Sequence, residues 1–385
     1  MRVGLICLFL AYVLSQFYRA FLPVLAPVLQ TDIGAGPEDL ALASGIWFLT
    51  FAVMQIPVGA ALDSIGPRRT TVTLFALGGA GGALLFALAQ TPLHLILAMG
   101  LIGIGCSPVL MAAYYIFARN FPASVFATLA AAIIGFGSLG NIAGSAPLAW
   151  TVDAFGWRQT MGGFSAATLL IAGLLWITLQ DPPRMPRQPG SVLDVLRLKP
   201  LWPIFAMMFV CYAPAAGLRA LWAGPYATDT YGADATGIGR LTLVMGLVMV
   251  AGNFAYGPLD RWFGTRKWVI FGGNLGVVLG CAALALWPAM GITNATLAFA
   301  AIGFCGASFG IVIAHGRAFV PPHLIGRGVT LLNLFGIAGA GIAQVLTGRL
   351  HAAMAPAPYP AIFAYFAITT ALGLAAYLLS RDRTD

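Results

Sequence analysis

The sequence predicts an all-α membrane protein with twelve transmembrane helices in two six-helix bundles. Three observations support this fold class: the composition, the length of the apolar runs and the placement of the basic residues. Of the 385 residues, 60% are hydrophobic and only 8% are charged, whereas a soluble domain usually carries about 25% charged residues. A chain with so few charges cannot cover a water-exposed surface.

The apolar residues form long runs such as 3–14, 71–88 and 169–179. A helix needs about 20 apolar residues to cross the roughly 30 Å hydrocarbon core. A β-barrel strand would instead alternate apolar and polar residues over about 10 positions. The runs predict helices at roughly 3–30, 39–62, 70–90, 93–118, 123–151, 159–180, 200–226, 237–258, 268–288, 293–315, 328–350 and 359–380.

The basic residues are distributed asymmetrically about these helices. With the N-terminus in the cytoplasm, the outer side receives at most Arg158, Arg240 and Arg349, and most of the twenty Lys and Arg face the cytoplasm. This predicts a multi-pass protein with both termini cytoplasmic. The many Arg, Ala and Gly residues suggest a GC-rich genome and hence a bacterial inner membrane. The net charge of +8 reflects this topology, so no nucleic-acid partner is expected.

The two halves of the chain repeat one another. The segment 59–69 (Gly-Ala-Ala-Leu-Asp-Ser-Ile-Gly-Pro-Arg-Arg) matches 257–267 (Gly-Pro-Leu-Asp-Arg-Trp-Phe-Gly-Thr-Arg-Lys) at an offset of 198. Two glycines of predicted helix 5 match two of helix 11 at an offset of 199, namely Gly137 and Gly140 with Gly336 and Gly339. The repeat predicts bundles at 1–180 and 201–385, related by a pseudo-twofold axis. The polar, Pro-rich segment 181–200 joins them as a cytoplasmic linker.

Glycine, aspartate and basic residues at fixed spacing lie between predicted helices 2 and 3, and again between helices 8 and 9. They are Gly59, Asp63, Gly66, Arg68 and Arg69, followed by Asp260, Arg261, Gly264, Arg266 and Lys267. On these residues the chain resembles the major facilitator superfamily, whose motif A lies at this place. The resemblance implies a transporter that works by alternating access, with the motif holding the cytoplasmic side shut in the outward-open state.

Two positions depart from the pattern of that family. Ser64 replaces the basic residue that usually follows the aspartate. Met99 stands where drug antiporters of the family carry an arginine linked to proton coupling. Moreover, no Asp or Glu falls in the interior of a predicted helix, and among the histidines only His315 lies near a helix interior. A proton relay therefore lacks its obvious carboxylate, and drug:proton exchange is disfavoured.

Arg19 and Arg219 lie inside predicted helices 1 and 7, in Arg-Ala-Phe and Arg-Ala-Leu, 200 residues apart. An ionisable residue within the bilayer is a functional candidate by default, and guanidinium groups suit carboxylates and phosphates. The resemblance implies that these two helices line a central cavity. We therefore expect a small organic anion to bind between Arg19 and Arg219. The alternative is that each arginine extends to the outer interface.

Further polar and aromatic residues fall at a depth suited to such a cavity, although each also fits interhelical packing or an interfacial aromatic belt. The candidate substrate contacts are Gln16, Tyr18, Trp47, Asn141, Trp222, Tyr226, Asn253, Asn333 and Gln344, and Gln55 and Asn274 lie at similar depth. A neutral vitamin-like or drug-like solute stacked on Trp222 and Tyr18 is an alternative substrate.

A metal site is the other alternative. Met207 and Cys211, and likewise Met245 and Met249, are four residues apart on predicted helices 7 and 8, which places each pair on one helix face. Soft sulfur ligands suit Cu(I) and would make the protein a copper importer, although Met and Cys in apolar helices usually serve packing. The five cysteines show neither zinc nor disulfide spacing.

Among enzyme motifs, the sequence contains no Walker loop and no HExxH. We expect no enzymatic activity and no cofactor. The expected partners are a small-molecule substrate and the lipid bilayer, and we expect a monomer.

Overall fold

The computed structural model describes residues 2–121, 123–182, 192–321 and 324–383, and throughout these ranges the regular secondary structure is helical. Residues 183–191, nine of the twenty residues of the predicted linker, lie outside the described part. The chain divides into two compact units. The N unit comprises Met1–Arg187 with Asp234–Arg240, and the C unit comprises Gln188–Ala233 with Leu241–Asp385.

Six spans occupy the first half of the chain. Span 1 consists of Arg2–Ala20 and Leu22–Ile33, span 2 of Pro37–Ser64, span 3 of Pro67–Leu74, Phe75–Ala80 and Gly81–Ala87, span 4 of Pro92–Asn120, span 5 of Ala123–Ala143 and Ala146–Phe155, and span 6 of Trp157–Thr178. Gly66, at φ 105°, turns the chain from span 2 into span 3, a backbone conformation that favours glycine.

A short helix, Val192–Leu196, precedes the second set of six spans. Span 7 consists of Lys199–Leu201, Trp202–Cys211, Ala213–Gly217, Leu218–Trp222 and Ala223–Tyr231, span 8 of Ala235–Phe263, span 9 of Lys267–Leu286, span 10 of Ile292–Cys305, Gly306–Ser308 and Phe309–Arg317, span 11 of Ile325–Ala353, and span 12 of Tyr359–Tyr377. Gly264, at φ 64°, repeats the turn of Gly66 between spans 8 and 9.

Among the described residues, eleven helices are long and apolar enough to cross a membrane. The pair Ala132–Ala143 and Ala146–Phe155, bent by 43°, supplies a twelfth crossing. The predicted twelve-helix membrane fold is therefore confirmed. Large apolar side chains such as Leu77, Ile177 and Leu379 are exposed on the outside, as expected of surfaces that face lipid tails.

Three predicted helices are interrupted in the structure. Span 1 breaks at Phe21, span 5 at residues 144–145, and span 7 at Tyr212. A proline follows each break within two residues, namely Pro23, Pro147 and Pro214. Proline lacks an amide hydrogen and its ring crowds the preceding turn, so the continuous helices predicted at 3–30, 123–151 and 200–226 are corrected to broken ones.

The repeated glycines bring helices into close contact within each unit. A Cβ atom added at Gly140 of span 5 would lie 1.9 Å from the carbonyl oxygen of Val13 in span 1. At Gly339 of span 11 it would lie 1.8 Å from the carbonyl oxygen of Phe209 in span 7. Glycine is needed at both positions because the facing backbone leaves no room for a side chain.

Candidate functional site

Arg19 of span 1 lies over aromatic rings of span 2. Its Cζ atom is 5.1 Å from the ring centroid of Trp47 and 5.3 Å from that of Phe51. These rings stack on each other, with centroids 5.2 Å apart. Trp47 is buried and its indole Nε1 has no hydrogen-bond partner among the described residues. The N unit thus holds a guanidinium by cation–π contact and leaves an indole N–H able to donate to a ligand.

Arg219 occupies the equivalent place in the C unit. It is buried, with 7% of its surface exposed, in the π-helical turn Leu218–Trp222 of span 7. Such turns are rare and occur frequently at functional sites. A Cβ atom on Gly246 of span 8 would lie 3.6 Å from the Nε atom of Arg219, so the guanidinium packs against that helix.

The two arginines share one local geometry. Arg19 and Arg219 are 200 residues apart, and the residues that they pack against, Trp47 and Gly246, are 199 apart. Each guanidinium therefore lies on the second span of its own unit at matching positions of the repeat. Arg19 packs against the ring of Trp47, whereas Arg219 packs against the helix backbone at Gly246, which has no side chain.

Two buried amides differ in how they are satisfied. Gln344 of span 11 is fully buried, and neither its Nε2 nor its Oε1 atom has a hydrogen-bond partner among the described residues. Asn274 donates to the Ile270 carbonyl at 2.9 Å and to the Ser308 hydroxyl at 3.0 Å. Because a buried amide without a partner is costly, Gln344 is better placed than Asn274 to meet a ligand.

The remaining polar candidates differ in burial and in bonding. Gln16 is buried, Asn141 and Asn333 are half-buried, and Asn253 is exposed. Gln55 donates to the Phe51 carbonyl one turn before it, at 3.2 Å.

Three aromatic candidates use their polar atoms within their own unit. The Tyr18 hydroxyl lies 2.8 Å from the Thr168 hydroxyl of span 6, and the Tyr226 hydroxyl donates to the Pro288 carbonyl at 2.5 Å. The indole Nε1 of Trp222 donates to the Thr347 hydroxyl of span 11 at 2.9 Å. The polar atoms of these three side chains already take part in hydrogen bonds that connect parts of one unit. The faces of the rings are what they can offer to a ligand.

The motif between spans 2 and 3 contains an interaction that does not follow from the sequence. The Arg68 amide, in the first turn of span 3, donates to Asp181 Oδ1 at 2.7 Å, where a carboxylate also complements the helix dipole. The Arg68 guanidinium lies 4.9 Å from the Trp176 ring centroid of span 6. Gly59 lies within span 2, near Met111 of span 4, and Arg69 is exposed.

The second copy of the motif is bound in the same way. Asp382 accepts hydrogen bonds from the Thr265 hydroxyl and from the amides of Arg266 and Lys267 at the start of span 9. Arg266 also pairs with Asp260, with 3.1 Å between Nε and Oδ2, and Lys267 Nζ donates to two carbonyls beyond span 12. The side chains of Asp63 and Arg261 lie outside the described part of the structure.

The environment of Asp382 shifts its acidity. Partial burial raises the pKa of this carboxyl, but the hydrogen bonds from Thr265, Lys267 and Arg266 outweigh it and lower the pKa below its usual value. Asp382 is therefore ionised as it caps span 9.

The sulfur pairs pack against apolar or small residues. Met207 and Cys211 are fully buried in the apolar core of the C unit, where the thiol is 3.6 Å from the Met208 carbonyl. Met245 and Met249 both pack against Gly303 of span 10. Among the described residues, no group of three or more His, Cys, Asp or Glu is placed to hold a metal.

His315 is also structural in its contacts. It is buried, with Nδ1 2.7 Å from the Tyr377 hydroxyl of span 12 and Nε2 3.0 Å from the Arg381 carbonyl. It therefore ties span 10 to span 12.

Comparison with known proteins identifies the family. Residues 8–222, more than half of the chain, match the Major Facilitator Superfamily. The chain belongs to this superfamily. It is accordingly a transporter by family, as the resemblance of motif A implied.

Solved structures of major facilitator transporters share the fold of the whole chain. A bacterial homologue of the human lysosomal transporter Spinster is 20% identical, with a TM-score of 0.74 over 97% of this chain and 95% of that one. A D-xylose–proton symporter reaches a TM-score of 0.78 at 15% identity, covering 98% and 96% of the two chains. The nucleoside transporter NupG reaches 0.77 at 14% identity, covering 98% and 99%.

Curated relatives are similarly distant. The uncharacterized transporter YybO of Bacillus subtilis is 24% identical over 64% of this chain, and monocarboxylate transporter 11 of Mus musculus is 27% identical over 84%. The probable sulfoacetate transporter SauU of Cupriavidus necator is 22% identical over 66%. The matches span 61%, 76% and 62% of these relatives, in the same order, so the chain covers less than two thirds of both bacterial proteins.

Proposed function

We propose that this superfamily member is a secondary active or facilitative transporter that carries a small organic anion by alternating access, with the anion bound between Arg19 and Arg219. The supporting observation is the shared geometry of the two arginines, each set on the second span of its own unit. Two symmetry-related guanidinium groups are suited to a carboxylate, sulfonate or phosphate. Two distant relatives are named for monocarboxylate and sulfoacetate.

The neighbouring residues supply hydrogen bonds and ring surfaces. The Trp47 N–H and the Gln344 amide are buried groups without partners among the described residues, so they are the proposed neutral contacts to the anion. Gln16, Tyr18, Asn141, Trp222, Tyr226, Asn253 and Asn333 complete the proposed binding set. The motif residues Gly59 to Arg69 and Asp260 to Lys267 are proposed to gate the cytoplasmic side.

A thermal-shift assay on purified protein tests the substrate class. The ligands are lactate, sulfoacetate, glycerol 3-phosphate, the neutral vitamin pyridoxine and Cu(I). A ligand at 100 times its Kd stabilises the folded protein by about 2.7 kcal/mol. We expect shifts with at least one of the three anions.

The arginine variants identify the site. A hydrogen bond to a charged group contributes about 1.5–3 kcal/mol, which corresponds to roughly 10- to 150-fold in affinity. Arg19→Gln and Arg219→Gln should each weaken anion binding by that factor, whereas Arg349→Gln, an exposed residue of span 11, should not. A shift with Cu(I) alone, lost in Met245→Ala and Met249→Ala, or with pyridoxine alone, would refute the anion site.

The proposed setting is a bacterial inner membrane, with both termini in the cytoplasm and a monomeric transporter. The proposed boundaries of the two bundles stay at 1–180 and 201–385. The placement of the basic residues in the sequence supports the proposed orientation of the termini.

A further inference from the structure

The C unit contains a cavity beside the loop that joins spans 11 and 12. Its volume is about 430 Å³, and its polar lining includes Asp229, His351 and Tyr359. The loop 355–358 (Ala-Pro-Ala-Pro) forms part of its rim. Asp229 is exposed, so water reaches this polar cluster.

His351 connects the cavity to span 7. Its imidazole stacks on the indole of Trp222, with centroids 5.3 Å apart and planes inclined by 21°. Tyr359 packs against the imidazole edge-on at 5.8 Å and donates its hydroxyl hydrogen to the Asp229 carboxylate. Thr347, one turn before His351 on span 11, accepts the hydrogen bond from Trp222. This hydrogen bond holds the Trp222 indole in place against the His351 ring.

Trp222 and Arg219 belong to the same π-helical turn, Leu218–Trp222. A proton on His351 would place a cation on the face of Trp222, where a cation–π contact stabilises it. The same charge would raise the positive potential around that turn and favour an anion there. Proton and anion would therefore bind with positive coupling, which is reciprocal by thermodynamic linkage.

The charged and titratable groups on the spans that surround His351 are consistent with a proton on its imidazole. Span 7 contributes Asp229, which lines the same cavity as His351 and whose carboxylate favours the charged imidazole. It also contributes Tyr226, which packs against Tyr359, and Arg219 in the turn of Trp222, whose positive charge opposes a second cation there. Span 12 contributes Tyr359, and span 11 itself carries Arg349, which is exposed. Histidine is the side chain that normally changes charge between about pH 5 and 8.

We propose that His351 is the proton-binding residue of this transporter, and that a proton and the organic anion are carried together. The inference rests on the anion transport proposed above. The neutral imidazole takes one proton from water in the cavity when the anion binds, and returns it to water when the anion leaves. No further co-reactant is required, and the proton relay that a membrane carboxylate would supply is replaced by a histidine.

The first test needs no substrate. Tryptophan fluorescence of the purified protein is titrated from pH 5 to 8, because a protonated imidazole quenches a stacked indole more strongly than a neutral one. We expect one proton-linked rise with pH in the wild type and in His94→Gln, a control histidine at the start of span 4 that contacts Thr91. The rise should be absent in His351→Gln and Trp222→Phe. An equal rise in His351→Gln overturns the proposal.

The second test measures coupling with sulfoacetate, whose charges do not change between pH 6 and 8. Linkage to one proton changes affinity by up to about tenfold per pH unit. We expect sulfoacetate affinity to rise at least threefold from pH 8 to pH 6 in the wild type and in His94→Gln, and to change less than twofold in His351→Gln. A rise that persists in folded His351→Gln refutes the coupling.

The two tests separate this proposal from the anion site. If the wild type binds none of lactate, sulfoacetate or glycerol 3-phosphate, anion transport is refuted and the coupling with it. The fluorescence titration then still decides whether His351 binds a proton.

Discussion

Replacing Gly140 with alanine should force span 5 away from span 1. The added Cβ would lie 1.9 Å from the Val13 carbonyl oxygen, and ordinary contact begins near 3.4 Å, so the helices must separate by roughly 3.4 − 1.9 = 1.5 Å. The obstacle is backbone, which cannot rotate away as a side chain can. A Cβ added at Gly339 would lie 1.8 Å from the Phe209 carbonyl oxygen, so Gly339→Ala should force span 11 away from span 7 in the same way.

The size of the effect follows from two opposing contributions. Overpacking a tight interface costs about 1–3 kcal/mol, and a contact with backbone falls at the upper end. Alanine is favoured over glycine within a helix by about 1 kcal/mol. The net loss is about 2 kcal/mol, which corresponds to a fall of about 4–8 °C in the melting temperature for a unit of this size.

The assay is thermal unfolding of detergent-purified variants, followed by the fraction that remains monodisperse after heating. Gly135→Ala in span 5 and Gly310→Ala in span 10 serve as matched controls, since a Cβ at either position meets nothing within 4 Å. Both controls should be as stable as the wild type or slightly more stable. If Gly140→Ala and Gly339→Ala have the same melting temperature as their controls, the helix backbones do not approach as closely as described.

Three further predictions concern the motif and the topology. The pKa of Asp382 is lowered in the folded state, so its stabilising contribution is present above the unfolded value of about 3.9 and is lost as pH falls through the folded value. Asp382→Asn should therefore flatten the loss of thermal stability below pH 4, and an unchanged pH profile would contradict the cap. Asp63→Asn should slow alternation between states more than it weakens anion binding, measured as transport rate against equilibrium affinity, and abolished binding in a folded protein would refute a gating role. Reporter fusions within the linker 181–200 and at the C-terminus should both report cytoplasm, and a periplasmic signal at either would overturn the proposed topology.

Much of the fold was predictable because it depends on local composition. Twelve apolar runs determine twelve crossings, since a chain in lipid must satisfy its backbone within each helix. Gly140 and Gly339, matched in the sequence repeat, occupy equivalent close contacts in the two units. The breaks in spans 1, 5 and 7 were missed, although Pro23, Pro147 and Pro214 are visible signals.

Features of the candidate site were harder to predict from the sequence because they depend on contacts between residues that are far apart in the chain. Asp181 and Arg68 are 113 residues apart. Nothing in the sequence around Asp181 distinguishes an aspartate that caps a distant helix from one that is simply charged and exposed in a loop. His351 was overlooked because predicted helix 11 ended at residue 350, whereas span 11 continues to Ala353. Its stacking on Trp222 depends on the side-chain placement of two separate spans, which periodicity alone does not give.

The aspartates that cap spans 3 and 9 have a practical consequence for handling the protein. Asp181 follows span 6 at the start of the linker, and Asp382 follows span 12 in the C-terminal tail. Because they make matching bonds to the starts of spans 3 and 9, the start of the linker and the C-terminal tail play equivalent structural roles in the two units. A tail trimmed before residue 382, or an affinity tag fused directly to span 12, would therefore remove a structural element rather than a dispensable end. Expression vectors should keep the tail through Arg383 ahead of any tag.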